Sequence, residues 1–376
     1  MNERLGLYLH IPFCSSICNY CNFNRGLFDA GLKSRYVDAL EREVLACPLR
    51  GRSADTIFFG GGTPSLLEPE EVGRLIAACR ATFEMPVTAE ITLETNPETS
   101  SRERMERFRG AGVNRISFGV QSFREPELKR LGRLHTADRA MRAMDEARAG
   151  GIENVSLDLM MWLPQQTRDD WRQSVETLVA VGPEHASLYL LELYPNSPLK
   201  DEMARSGWSL APDEDAAGMY LWSLERLDAA GYRQYEISNV ARPGRESRHN
   251  LKYWQDGEWI GFGCGAHSTI AGVRSRNVAG TEEYISRVQA GEGATIERRS
   301  LTREERLEDA LFTGLRLADG IDIEDVGRRY GVDVWARFGT NLAPFVAERL
   351  LVREGPRLRL TRDGMLLANE IMAVFV

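Results

Sequence analysis

The sequence predicts an α/β protein: a partial, open (β/α)6 barrel followed by a C-terminal helical, winged-helix-like domain. Three observations lead there. Six short β-rich runs alternate with amphipathic segments across roughly the first half of the chain, which implies a parallel sheet with right-handed crossovers. The distinctive residues fall just after those runs, at the strand ends where parallel α/β folds build their sites. From about Leu301 the alternation stops, and helices lead into a short hairpin. The expected organisation is therefore 1–207 for the barrel, 208–300 for a connecting region with its own aromatic motif, and 301–376 for the last domain.

The six strands are read at Leu5–His10, Asp55–Phe59, Glu90–Glu94, Arg115–Gly119, Asn154–Met160 and Ala186–Leu191. The first helix runs from near Lys33 to Ala46 and buries Tyr36, Val37, Leu40 and Val44. The second starts at Pro69, a favoured first helical position. The third takes Ser100 or Ser101 as its cap, carries Met105 and Phe108 inward, and stops at Gly110. The fourth bears Ala140, Met141, Met144 and Ala147 and ends at Gly150-Gly151. The fifth opens on Thr167 and Asp170, close to a capping box, and buries Trp171, Val175 and Leu178. Six units are too few for a closed eight-fold barrel. A helical connector is expected over Trp208–Gly231. In the last domain, helices at Glu304–Leu317, Ile323–Tyr330 and Asp333–Glu348 precede a two-stranded wing turning at Glu354-Gly355-Pro356.

Composition narrows the function. Hydrophobic residues make up 43% and charged residues 27%, which is ordinary globular usage. The net charge of −8 does not favour nucleic acid. The winged-helix-like region has 11 Arg against 13 Asp and Glu, whereas DNA binding needs clustered positive charge. A packing, lid or partner-docking role is expected for it instead. No apolar stretch is long enough to span a bilayer, and Met1 leads within a few residues into the first strand, so the expected location is cytoplasmic. Six cysteines in 376 residues are too sparse for a disulfide framework. Cys79 reads as core filler on a helix face, and Cys47 has no evident chemistry.

Cys14, Cys18 and Cys21, spaced C-x3-C-x2-C in YLHIPFCSSICNYCNF, are the most informative feature. Thiolates normally bind one per iron in a [4Fe–4S] cube, so three close ligands leave one iron open. The competing reading is structural zinc on these cysteines plus His10. Further along, the run FFGGGTPS after the second strand lets backbone approach a ligand closely. Glu94 closes the third strand; its competing role is a helix cap or solvated charge. Gln121 follows the fourth strand. Arg133 could fork onto a carboxylate or sit on the surface. Asp158, in an apolar run, needs a partner if buried. His249 is a candidate iron ligand, and Tyr253, Trp254 and Trp259 could wall a porphyrin; alternatively this segment packs under the barrel as a hydrogen-bonded loop. His267 and His10 are the alternative ligands.

The cysteine run resembles the signature of the radical S-adenosylmethionine (SAM) superfamily. That resemblance implies a partial barrel, a [4Fe–4S] cluster on Cys14, Cys18 and Cys21, and SAM at the open iron. The phrases YLHIPFC, FGGGTPS, RISFGVQSF and LGRLH resemble more narrowly the oxygen-independent coproporphyrinogen III oxidases (HemN) and their relatives, from Tyr8 to about Ser268 and more weakly beyond. Carried over by position, the resemblance implies SAM contacts at Tyr8, Tyr20, Gly61, Gly62, Thr63, Glu94, Gln121, Arg133 and Asp158. Two features depart from the oxidase. Phe23 stands where that enzyme has a further cysteine, and Tyr8 lies almost at the start, where it has an extension. Both are typical of the heme chaperone (HemW) family, whose HNxxYW motif is matched by His249 to Trp254. This implies heme contacts at His249, Tyr253 and Trp254, transfer to a heme-accepting protein, and an electron donor for the cluster. It also implies peripheral contact with membrane heme enzymes and no coproporphyrinogen oxidase activity. Oxidative decarboxylation of coproporphyrinogen III, or other radical chemistry on a tetrapyrrole, is the rival reading. Trp162, where the family usually has glycine, and Cys264, where proline is usual, depart from the pattern.

Overall fold

The computed structural model describes residues 4–195 and 197–376. Six parallel strands occupy the expected places: β1 (Leu5–Ile11), β2 (Ala54–Gly61), β3 (Glu90–Thr95), β4 (Arg115–Gln121), β5 (Val155–Met161) and β6 (His185–Leu190). The helices between them are α1 (Ala30–Leu45), α2 (Pro69–Thr82), α3 (Arg102–Ala111), then α4 (Glu125–Arg130) with α5 (Ala137–Ala149), and α6 (Arg168–Val181). Their boundaries follow capping chemistry. Ser101 accepts the Arg104 N–H to start α3, and the chain leaves that helix at Gly112 with φ 113°, two residues past the expected stop. Thr167 and Asp170 form a reciprocal capping box at α6. Asp29 caps α1, which begins at Ala30, three residues ahead of the expected start.

Strand alternation divides the residues between two faces. On β1, Leu5, Leu7, Leu9 and Ile11 are fully buried against the helical layer, each worth roughly 1.5–3 kcal/mol of burial. The alternate residues Gly6, Tyr8 and His10 turn to the barrel lumen. Beyond β6 the chain continues through α7 (Pro198–Ser206) and α8 (Asp213–Ala229).

The segment 208–300 does more than connect. After α8 come β7 (Arg233–Glu236) and β8 (Asn239–Ala241), then α9 (Arg248–Trp254) and β9 (Trp259–Phe262). The hairpin β10 (His267–Ile270) and β11 (Val273–Asn277) leads through α10 (Thr281–Ala290) to β12 (Thr295–Ser300). All join one twelve-stranded sheet in the order β12-β11-β10-β9-β1-β2-β3-β4-β5-β6-β8-β7. Strand β9 pairs in parallel with β1, Tyr8 opposite Gly261, so seven adjacent strands form one parallel run. The other added strands each pair antiparallel with their neighbours.

The last domain consists of α11 (Arg303–Gly314), α12 (Ile323–Tyr330) and α13 (Val334–Ala347), with a three-stranded sheet and two short closing helices. Its wing is β14 (Leu351–Glu354) and β15 (Arg357–Leu360), turning at Gly355 with φ 61°; β13 (Ile321–Asp322) adds a third strand. It is bolted to the sheet edge. Arg316 bonds the fully buried Glu236 at 3.0 Å and lies over the Trp254 ring at 4.4 Å. Asp256 accepts from Tyr330 at 2.6 Å and Arg329 at 2.7 Å. Among the described residues no helix is long and apolar enough to cross a membrane.

Candidate functional site

The cysteine loop leaves β1 at the C-terminal mouth of the sheet. It is framed by backbone: Gly26 N–H bonds Pro12 O at 2.7 Å and Phe28 N–H bonds Cys14 O at 2.9 Å. Asn24, just past Cys21, accepts from His10 through its carbonyl at 2.7 Å. Its side-chain amide donates to Cys264 O at 3.2 Å and Ala279 O at 3.1 Å. The loop is thus tied to β1 and to the β9–β11 extension. All three cysteines are free thiols.

The glycine run after β2 is shaped by this loop. A Cβ on Gly61 would lie 2.6 Å from the His10 ring, and one on Gly62 would lie 2.6 Å from Phe13 O and 3.0 Å from Cys14 Sγ. Gly61 also has φ 118°. Each glycine makes room for a residue of the first strand or of the cysteine loop. From the sequence alone this room reads as ligand space, because the partner that the glycines accommodate lies about fifty positions away. Thr63 N–H holds Phe13 O at 2.7 Å, and its hydroxyl stands 3.7 Å from Cys14 Sγ.

Arg133 reaches the other side of the loop. Its guanidinium donates to Cys18 Sγ at 3.2 Å, Asn96 Oδ1 at 2.7 Å and Gly119 O at 2.6 Å. Its Nε is buried without a partner. Asn96 in turn donates to Thr63 Oγ1 at 3.0 Å. Asn96 was not singled out from the sequence, although it stands two residues after Glu94. Arg25, also missed, donates to Cys21 O. Tyr20 packs beside Leu131 and Leu163 with its hydroxyl at Cys18.

Deeper in the lumen, Glu94 accepts one hydrogen bond among the described residues, from Gly61 N–H at 3.2 Å. Burial, reinforced by neighbouring Asp158, pushes its carboxyl up to about 8. Asp158 is also raised by burial, against hydrogen bonds from Ser187 and Ser117. Gln121 ends β4 in a left-handed conformation, φ 69°, beside a register shift with β5. Strained backbone of this kind collects at functional sites.

These residues fit the two groups that the sequence implied. Three free thiols with Arg25 and Arg133 beside them suit an anionic iron–sulfur cluster. Among the described residues no three His, Cys, Asp or Glu side chains gather closely enough for a single metal ion. Both ring nitrogens of His10 are taken, by the Tyr8 hydroxyl at 3.0 Å and Asn24 O. The geometry therefore does not suit zinc on Cys14, Cys18, Cys21 and His10. Glu94 keeps acceptor capacity toward the lumen, where ammonium or hydroxyl groups of SAM would find it.

The aromatic motif lies elsewhere. His249 is 1% exposed, at the opposite end of the barrel from the cysteines. Its Nδ1 bonds Thr56 at 2.8 Å and its Nε2 bonds Tyr253 at 2.8 Å; its backbone N–H bonds Glu90 at 3.1 Å. Burial holds the imidazole neutral down to about 3. Tyr253 packs edge-on against Trp259 at 4.8 Å, and Trp254 is covered by Arg316. In this structure the segment of the three expected heme contacts fills the barrel's lower end, with both ring nitrogens of His249 hydrogen-bonded to protein.

The two sequence departures have local reasons. Trp162 adopts φ 62°, which explains why glycine is usual there, and its indole N–H bonds Ala211 O at 2.7 Å. The Cys264 N–H bonds the Tyr36 hydroxyl at 3.1 Å, a donor that proline lacks.

Comparison with known proteins agrees with this geometry. Residues 8–178 match the Radical SAM superfamily, and residues 301–367 match the HemN C-terminal domain. A Bacillus subtilis protein named Heme chaperone HemW is 35% identical over 98% of both chains. An Escherichia coli protein of that name is 40% identical over 71% of this chain and 70% of its own. A bovine mitochondrial radical S-adenosyl methionine domain-containing protein is 34% identical over 99% of this chain and 87% of its own. In structure, the chain superposes on coproporphyrinogen III oxidase HemN of Escherichia coli with a TM-score of 0.87, covering 100% of this chain and 91% of that one. Identity there is 23%, so that likeness speaks for the fold.

Proposed function

The chain belongs to the HemW heme chaperone family of radical SAM proteins, and from that membership we propose that it binds heme and passes it to an acceptor protein. We further propose a [4Fe–4S] cluster on Cys14, Cys18 and Cys21, exchangeable SAM, and an electron donor for the cluster. The observation that carries the reading is the full-length match to named heme chaperones, which includes the cysteine loop and the last domain. When bound, the cluster supplies an open iron and an electron.

The chain's own residues have definable tasks around these groups. Arg133 fixes the Cys18 sulfur and offsets thiolate charge. Thr63 and Gly62 hold the Cys14 end of the loop. Glu94 and Asp158 present a buried acid pair on which SAM's amino group or ribose would be oriented. Phe23, 65% exposed, offers an apolar lip where a sulfur would be needed for the oxidase pattern.

The test is parallel titration of anaerobically reconstituted protein. Heme should give a stable complex with a defined Soret band. Coproporphyrinogen III with SAM and reductant should remain unconverted. Turnover to the protoporphyrin level would overturn the chaperone reading in favour of the oxidase.

A further inference from the structure

Arg115 is a buried cation with no counterion in contact. It begins β4 and turns to the lumen, while Ile116, Phe118 and Val120 alternate into the core. It is 2% exposed, its Nε is buried without a partner, and no carboxylate among the described residues pairs with it. A charge taken out of water needs an opposite charge to offset the lost hydration.

The other charges around the lumen are already spent. Glu90 accepts the backbone N–H groups of Arg248 and His249, both at 3.1 Å. Glu236 takes Arg316 at 3.0 Å, and Lys252 pairs with Asp55 at 2.7 Å. Arg133 is committed to Cys18, Asn96 and Gly119. Burial keeps Tyr8, Tyr189, Tyr235 and Tyr253 protonated. It keeps His10, His185 and His249 neutral. What is left is Arg115 and the two acids Glu94 and Asp158.

Strand register links these three. Thr92 stands opposite Arg115, Glu94 opposite Ser117, and Asp158 opposite Gly119. Ser117 is the next lumen-facing residue above Arg115, and its hydroxyl donates to Asp158 at 3.3 Å. Arg115 therefore lies one alternation below the acid pair. In a dry interior a charge acts beyond contact distance. Burial raises both carboxyls and Asp158 raises Glu94 further, while Arg115 pulls each of them back down.

We propose that Arg115 is a positioning residue for the SAM site: from below, its charge keeps the Glu94–Asp158 pair negative enough to receive SAM's cationic groups. The proposal rests on the SAM-binding reading above. Arg115 touches neither acid and acts only through its charge. Two buried carboxylates side by side otherwise hold a proton between them, because like charges disfavour joint ionisation. A carboxyl that keeps its proton offers an ammonium or sulfonium no opposite charge. The unpaired state of Arg115 has a use on this reading: a direct ion pair would occupy the oxygens that SAM needs.

Anaerobic titration of the reconstituted full chain decides. In the wild type, SAM affinity read by calorimetry should rise with pH as the acids ionise. Arg115→Met, long and uncharged, should move that rise upward by about one pH unit and weaken SAM binding about tenfold at a fixed pH below it. Arg115→Lys, which keeps the charge, should restore both. The carbon-13 carboxyl resonances of Glu94 and Asp158 give a readout before any SAM is added, assigned through Glu94→Gln and Asp158→Asn. Their titration should move upward in Arg115→Met by the same amount. Arg115→Gln carries the same expectations if the methionine variant does not fold. A uniform loss of SAM affinity with unmoved carboxyl titrations would make Arg115 a packing residue and overturn the proposal. Moved titrations with unchanged SAM affinity would overturn it too. Carboxyls that respond to Arg115→Met in a protein that takes up no SAM at any pH would instead overturn the SAM-binding reading.

Discussion

Replacing Gly62 by alanine tests how the glycine run is read. The added Cβ would lie 2.6 Å from Phe13 O and 3.0 Å from Cys14 Sγ. The first neighbour is backbone, held in place by the Thr63 N–H at 2.7 Å, so it cannot swing aside like a side-chain tip. Overpacking of this kind costs about 1–3 kcal/mol, and here the strain falls on the Cys14 end of the loop. A displacement costing about 1.4 kcal/mol already reduces the cluster-ready arrangement tenfold. The matched control is Gly73→Ala on α2. There the nearest atom to a new Cβ is Ala111 Cβ at 3.5 Å, an ordinary contact. That change should raise stability by about 0.8–1.0 kcal/mol through helix propensity alone. Urea unfolding of both apoproteins, with iron and sulfide analysis after reconstitution, is the assay. Gly62→Ala should be less stable and iron-poor, and Gly73→Ala more stable and iron-replete. A Gly62→Ala protein that reconstitutes fully with unchanged stability would refute the reasoning.

Other perturbations have defined outcomes. Any one of Cys14, Cys18 or Cys21 changed to Ala should abolish a stable [4Fe–4S] cluster by electron paramagnetic resonance, whereas Cys47→Ala, Cys79→Ala and Cys264→Ala should retain it. Glu94 keeps its proton to about 8 in the fold, whereas an unfolded glutamate releases it near about 4.3. The folded state binds more protons between those values, so stability should fall as pH rises through that window, and Glu94→Gln should flatten this part of the denaturation profile. His249 has the opposite sign: held neutral to about 3, it should cost stability as pH falls below about 6.5, a loss absent from acid titrations of His249→Gln. Arg316→Ala leaves the Glu236 carboxylate buried and underpaired, and should cost about 3–5 kcal/mol in thermal or chemical unfolding.

The parts of this protein that follow local rules were legible in its sequence. Strands β1 to β6 were placed to within a residue or two because alternation and turn residues bound them, and Thr167 and Asp170 announced the start of α6. Strand β9 was not legible. Trp259–Phe262 is four residues long, and its pairing with β1 depends on a partner about 250 positions away. Gly62 was read as ligand space because the Phe13 carbonyl that fills it belongs to another segment. His249 falls within an aromatic run that reads equally well as a porphyrin wall or as a plug, and the seat of α9 beneath β2 and β3 depends on residues about 160–190 positions away. The cysteine loop was legible because its ligands are contiguous. Arg25 and Asn96, which brace it through single hydrogen bonds, have no spacing to betray them.

The position of β1 between β2 and β9 has a consequence for biosynthesis. β1 is synthesised before the other strands of its sheet and is a central one, yet one of its two neighbours is encoded at Trp259–Phe262. At 5–20 residues per second, the roughly 250 residues between Ile11 and Phe262 take roughly 13–50 s to synthesise. During that interval β2 can dock, but the other side of Leu5–Ile11 remains an unpaired apolar edge, the kind of surface that recruits foreign strands. Translation speed, or a chaperone that shields the nascent β1, should therefore influence the yield of folded protein more strongly than changes in the last domain.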